Sequence, residues 1–112
     1  MSWLRRLLPP DRSEDQQAKV QIVTEAAAIQ QEVITELRKS SYADLQRFFD
    51  KEWQDVTGSS GRHYYVEILS FWDEKPRGNL RVLVWIFPAG SRSPKIPISS
   101  FIVAPDGHFV GE

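Results

Sequence analysis

Two neighbouring stretches, "HYYVEILSFW" (63–72) and "NLRVLVWIFP" (79–88), constrain this chain more than any other feature. Both are dense in β-branched and aromatic residues, and the "DEKPRG" between them is polar with Pro76 and Gly78, so they read as two strands of a hairpin. Closing the hairpin symmetrically sets Trp72 opposite Leu80, Ser70 opposite Val82, Ile68 opposite Val84 and Val66 opposite Ile86. Side chains alternate along a strand, so the even-numbered residues then share one face. Tyr64, Val66, Ile68, Trp72, Leu80, Val82, Val84 and Ile86 make that face almost wholly apolar.

The odd-numbered face carries Tyr65, Glu67, Leu69, Phe71, Arg81, Leu83, Trp85 and Phe87. A half-buried strand should alternate apolar with polar residues, yet only Arg81 interrupts the run from Leu80 to Phe87. Six of the eight odd positions are large and apolar, a patch that calls for a cover. The candidates are a second copy of the chain, another part of the chain, a different protein, or a ligand.

Upstream, Ser13 to Lys39 reads as one long amphipathic helix. Ser13 and Gln16 fit a capping box, and Glu14 and Asp15 place negative charge in the first turn. Ile22, Ala26, Ile29, Val33 and Leu37 recur at helical spacing, with Val23, Ala27 and Ile34 on the adjoining row. Ser40-Ser41 then breaks the helix and caps a second one, about Tyr42 to Trp53, whose Tyr42, Leu45, Phe49 and Trp53 form one stripe. "VTGSSGRH" reads as a helix stop and a flexible link. A third strand is expected near Ile98–Ala104 and a short fourth at His108–Val110, after the turn residues Pro105-Asp106-Gly107. Two helices followed by a four-stranded antiparallel meander define an α+β fold, with residues 1–12 as an N-terminal segment and 13–112 as a single domain. Helices joined by two serines can hardly cover opposite faces of one sheet, which turns the odd face toward self-association.

Composition excludes more than it suggests. A net charge of −1, with its acidic excess between residues 13 and 57, offers no focused basic surface for nucleic acid. The chain has no cysteine, hence no disulfide, thiolate metal site or cysteine nucleophile. "MSWLRRLLPPD" is far too short for a signal-peptide core, and no stretch approaches a membrane span, so the chain reads as cytoplasmic. Trp3, Leu4, Leu7 and Leu8 beside Arg5 and Arg6 carry at most a weak surface anchor.

Residues able to carry chemistry are few. His63 and His108 stand at strand entrances, and Glu25, Glu32 and Glu36 run along one border of the long helix as a solvated acidic edge. "DVTGSSGRH" has donors for a phosphate but lacks the Lys-Ser/Thr ending of a P-loop, and no serine stands in a Gly-x-Ser-x-Gly elbow. Glu67 faces Trp85 in the register, where loss of water disfavours a charged carboxylate; Arg81 and Arg62 are its expected partners. The sequence calls for no cofactor, metal or catalytic residue. It reads as a non-catalytic interaction or assembly module that homodimerises through Tyr65, Glu67, Leu69, Phe71, Arg81, Leu83, Trp85 and Phe87. In outline the architecture resembles the cystatin-like and NTF2-like arrangements. That outline implies an alternative, a small-molecule binder or pocket enzyme using Glu67 and the strand aromatics, although a fold does not establish a function.

Overall fold

The computed structural model describes residues 12–90 and 94–111, with side chains from residue 16 onward. Helix α1 (Arg12–Leu37) is followed by a single turn α2 (Tyr42–Leu45) that tightens into a 3-10 turn (Gln46–Phe49). Strands β1 (Glu52–Thr57), β2 (His63–Trp72), β3 (Leu80–Pro88) and β4 (Ser99–Val103) form one antiparallel sheet in the order β1-β2-β3-β4. The fold is therefore α+β, a long and a short helix on a four-stranded meander. The readings made for residues 1–11, and the capping box that rests on the Ser13 side chain, lie outside the described residues.

The central hairpin has the expected register, Trp72 opposite Leu80 through Val66 opposite Ile86. Its loop turns at Pro76-Arg77, where Gly78 N–H donates to the Lys75 carbonyl at 3.1 Å and Arg77 takes φ 65°. Proline at the second position and positive φ at the third describe a type II turn, in which an arginine occupies a place that glycine suits better.

The even face is the core. Tyr64, Val66, Ile68, Leu80, Val82 and Val84 are fully buried, and α1 lies against them through Ala26, Ile29, Ile34 and Leu37. Burying one such aliphatic side chain stabilises the fold by about 1.5–3 kcal/mol before entropy is counted. Ala27, expected on the apolar arc, is exposed; Gln30 is buried instead. Its amide donates to the Val84 carbonyl at 2.9 Å and to the Pro97 carbonyl at 3.0 Å, tying the helix to β3 and to the segment entering β4.

The second helix covers the same face as the first, at the hairpin end. Ser41 caps it by accepting from Asp44 N–H at 3.0 Å, and Leu45 and Phe48 are buried. Tyr42 and Phe49 contact Trp72, with ring centroids 6.2 and 5.1 Å away, and the Tyr42 hydroxyl donates to the Gly78 carbonyl at 2.7 Å.

Two boundaries differ from the sequence reading. The second helix ends at Phe49, and Glu52–Thr57, read partly as its tail and partly as a linker, forms edge strand β1. Trp53 continues the four-residue spacing from Phe49, but Asp50 is already extended at φ −90°, ψ 110°, and Trp53, Val56 and Thr57 are strand formers that pair with β2. The strand expected at His108–Val110 contracts to one bridge between Val103 and Phe109, with Val110 N–H donating to the Ile102 carbonyl at 2.9 Å. The four strands are thus β1 to β4 as named, with β1 the one the sequence reading had not placed.

A candidate interaction surface

The odd face is open. In the strand register Trp53, Glu67 and Trp85 form one row across β1, β2 and β3, and Asp55, Tyr65 and Phe87 form the next. Leu69, Leu83 and Ser100, then Phe71, Arg81 and Ile102, continue it across β2, β3 and β4. Both helices pack on the other side of the sheet, so no described element lies across these rows. Trp53 is 56% exposed, Tyr65 45%, Phe71 38%, and Ile98, just before β4, 45%. Leu69, Leu83, Trp85, Phe87 and Ile102 are half-buried. The face thus collects all eight residues singled out from the sequence and adds Trp53, Ile98 and Ile102. Trp53 was missed because it was assigned to a helix, and Ile102 because the register of the last strand could not be fixed from one sequence.

Glu67 is the buried charge of this face, only 3% exposed. Trp53 stacks on Phe87 at 5.9 Å between centroids, and Phe87 meets Trp85 at 5.5 Å. Because β2 lies between β1 and β3, the Trp53–Phe87 contact passes over β2 and shields the carboxylate from water. Its partner is Lys51, whose ammonium stands 2.9 Å from Glu67 Oε1. The expected arginines are engaged elsewhere. Arg81 pairs with Asp73 at 2.8 Å and donates to the Ser100 hydroxyl at 3.4 Å, while Arg62 sits in the β1–β2 turn. Lys51 was overlooked because it precedes a strand that had been read as helix. A groove of about 670 Å³ opens beside Trp85 and Phe87, bordered by Pro94, Pro97 and Ile98, and Glu67 is not among the residues that line it.

The remaining candidates are structural. "DVTGSSGRH" is the β1–β2 turn, closed by Gly58 N–H to the Arg62 carbonyl at 2.8 Å, and its donors hold an anion belonging to the chain itself. Glu25 accepts from Ser60 Oγ at 2.7 Å, Ser60 N–H at 2.9 Å, Tyr64 Oη at 2.8 Å and Ser59 Oγ at 3.1 Å. Those bonds, Ser60's first, pull its carboxyl down to about 2, while burial and the bond to Glu25 push the Tyr64 hydroxyl up to about 12. A carboxylate so strongly held in its charged form is a poor base for either serine. A Cβ at Gly58 would lie 2.5 Å from the Glu25 carboxylate, so a side chain there would push Glu25 off its donors.

His108 Nδ1 contacts Asp106 on an exposed turn, where the His108 backbone N–H, and then its ring, hold the aspartate below the usual carboxylate range. His63 contacts Thr57 at 3.4 Å. Among the described residues, Asp106 beside His108 is the one acid–base group against either histidine, and no metal-binding cluster of acidic and imidazole side chains occurs. No helix among the described residues is long and apolar enough to cross a membrane. Comparison of the chain with protein-family models, curated proteins and solved structures found no match.

Proposed function

We propose that this chain is a cytoplasmic, non-catalytic interaction module that homodimerises through the open face of its sheet. The observation that supports the reading is the aromatic surface built from all four strands, with Trp53, Tyr65 and Phe71 each more than a third exposed and no described element across them. Scattered exposed apolar residues need no explanation, but adjoining rows of them on one sheet do. Two such faces can stack about 10 Å apart with their side chains interdigitated, and a two-fold axis makes one patch its own complement.

Charge supports the same reading. Glu67 is withdrawn beneath the rings and neutralised by Lys51, and Arg81 is held by Asp73, so the centre of the face presents carbon while Asp55 lies toward the β1 margin. Apolar centres with polar rims are the usual anatomy of protein interfaces.

Light scattering on the full chain tests the proposal. The wild type is expected at twice the chain mass, and the double variant Tyr65→Lys, Phe71→Lys, altering two exposed side chains outside the core, at the monomer mass with an unchanged circular-dichroism spectrum. A wild-type monomer at about 1 mM, where even a millimolar interface would be substantially occupied, refutes it.

A further inference from the structure

The outer edge of β1 and the wall of α1 beside it form a second surface, on the helix side of the sheet and away from the aromatic face. β1 is terminal in the strand order, and no described residue hydrogen-bonds to its outer edge. Every second residue of such an edge turns its N–H and C=O groups away from the sheet. Proteins usually guard these groups with charged side chains, above all lysine, or with proline, a bulge or a covering segment; Glu52–Thr57 carries no lysine or proline, its two charges, Glu52 and Asp55, are acidic, and it pairs with β2 without a break.

Beside this edge α1 leaves β1 uncovered. A groove of about 460 Å³ runs between them, its apolar surface made by Ile29, Val33 and Leu37 of the helix and by Val56 and Ile68 of the sheet. Glu32 and Glu36, on adjacent turns of α1, border it on one side and Arg47 on another. Glu36 meets Lys39 at 2.9 Å, and the Arg47 guanidinium lies 4.6 Å over the Phe48 ring and 3.9 Å from Glu52. Glu32 makes no ion pair with a described residue, so the uncompensated charge on the border is negative.

We propose that this groove binds an extended, basic peptide segment of a partner protein, which adds to β1 as a fifth strand. Strand addition satisfies the open edge through main-chain hydrogen bonds, and pockets beneath alternate residues supply specificity. The period of two sends every second side chain of the added strand toward the helix side, where Val33 and Val56 favour apolar residues. A lysine or arginine two residues along, on the same face, meets Glu32. A docked helix or a small apolar ligand would leave the edge groups of β1 unused, which is why an extended backbone fits this surface.

The experiment uses the full chain and fluorescein-labelled probe peptides of about ten residues, enough to span a strand. One probe repeats Val-Thr-Lys-Thr, so that valine and lysine share the face turned to α1; a second has glutamate in place of lysine; and a third and fourth are the lysine probe N-methylated at its valines and lysines or at its threonines. Fluorescence anisotropy should show the lysine probe binding at least about ten-fold more tightly than the glutamate probe, a difference Glu32→Lys abolishes or reverses. One of the two N-methylated probes, the one whose methyl groups face β1, should lose binding, and hydrogen exchange at β1 amides should slow when the lysine probe is bound. Equal binding of the two charge variants, a preference unchanged by Glu32→Lys, or undiminished binding of both N-methylated probes overturns the proposal. So does β1 protection that rises with protein concentration without peptide in the Tyr65→Lys, Phe71→Lys variant, whose aromatic face no longer associates, since that would place a second copy of the chain on the edge.

Discussion

Replacing Gln30 with leucine tests what seats α1 on the sheet. The side chain is 5% exposed, and both amide hydrogens are used, at 2.9 Å on the Val84 carbonyl and 3.0 Å on the Pro97 carbonyl. Leucine fills a similar volume but donates nothing. Among the described residues every buried side-chain polar atom has a partner, the Gln30 amide included. The Val84 carbonyl is buried but also belongs to the β3–β4 ladder, so losing the Gln30 donor costs about 0.5–1.5 kcal/mol; the Pro97 carbonyl borders solvent and loses about 0.5–1 kcal/mol. Leucine recovers part of this, because a buried amide carries a desolvation cost that an alkyl group does not. The net loss is about 0.5–2 kcal/mol. Urea unfolding should show a lower midpoint at unchanged slope, and thermal unfolding a drop of about 4–8 °C per kcal/mol. Gln30→Glu should lose more at neutral pH than in acid, since an ionised carboxylate would then face two carbonyl oxygens. A Gln30→Leu protein within about 0.5 kcal/mol of wild type would refute the reasoning, because surface positions without such contacts give changes of that size.

Two further outcomes follow from single residues. Arg77→Gly should raise stability by about 0.5–1 kcal/mol in urea, since φ 65° strains an arginine and suits glycine, partly offset by the greater freedom glycine gives the unfolded chain. Glu25, lowered from 4.5 to about 2, contributes stability that is complete above the unfolded value and is lost as pH falls from about 4.5 toward 2. The acid limb of the wild-type stability curve should therefore be steeper in that window than that of Glu25→Gln, and superimposable limbs would count against the four-donor geometry.

Much of the fold was legible because the hairpin encodes itself twice, in its apolar alternation and in its polar loop. A shift of one residue would have turned Val66, Ile68, Val82 and Val84 outward, so only one register keeps the core together. β1 was illegible for the opposite reason. Trp53 lies four residues after Phe49 and eight after Leu45, a spacing that suits a helix as well as the observed break, and six residues carry too little periodicity to decide. That boundary also hid Lys51 as the partner of Glu67. That the central eight residues share one face was legible because it follows from hairpin parity alone. Its margins, Trp53, Ile98 and Ile102, depend on strands whose pairing is long-range and absent from local sequence.

Glu25 and Gln30 are five residues apart on the same helix, and each reaches a different part of the sheet, one the β1–β2 turn and the other the middle of β3. Between them the contact is aliphatic, and aliphatic surfaces tolerate sliding and rolling at little cost. A residue step along a helix advances 1.5 Å and rotates about 100°, so no slipped or rotated placement of α1 lets both polar side chains find their partners. The two residues act as a coordinate system for the helix. They fix its phase and its position together, leaving the apolar contacts to supply adhesion.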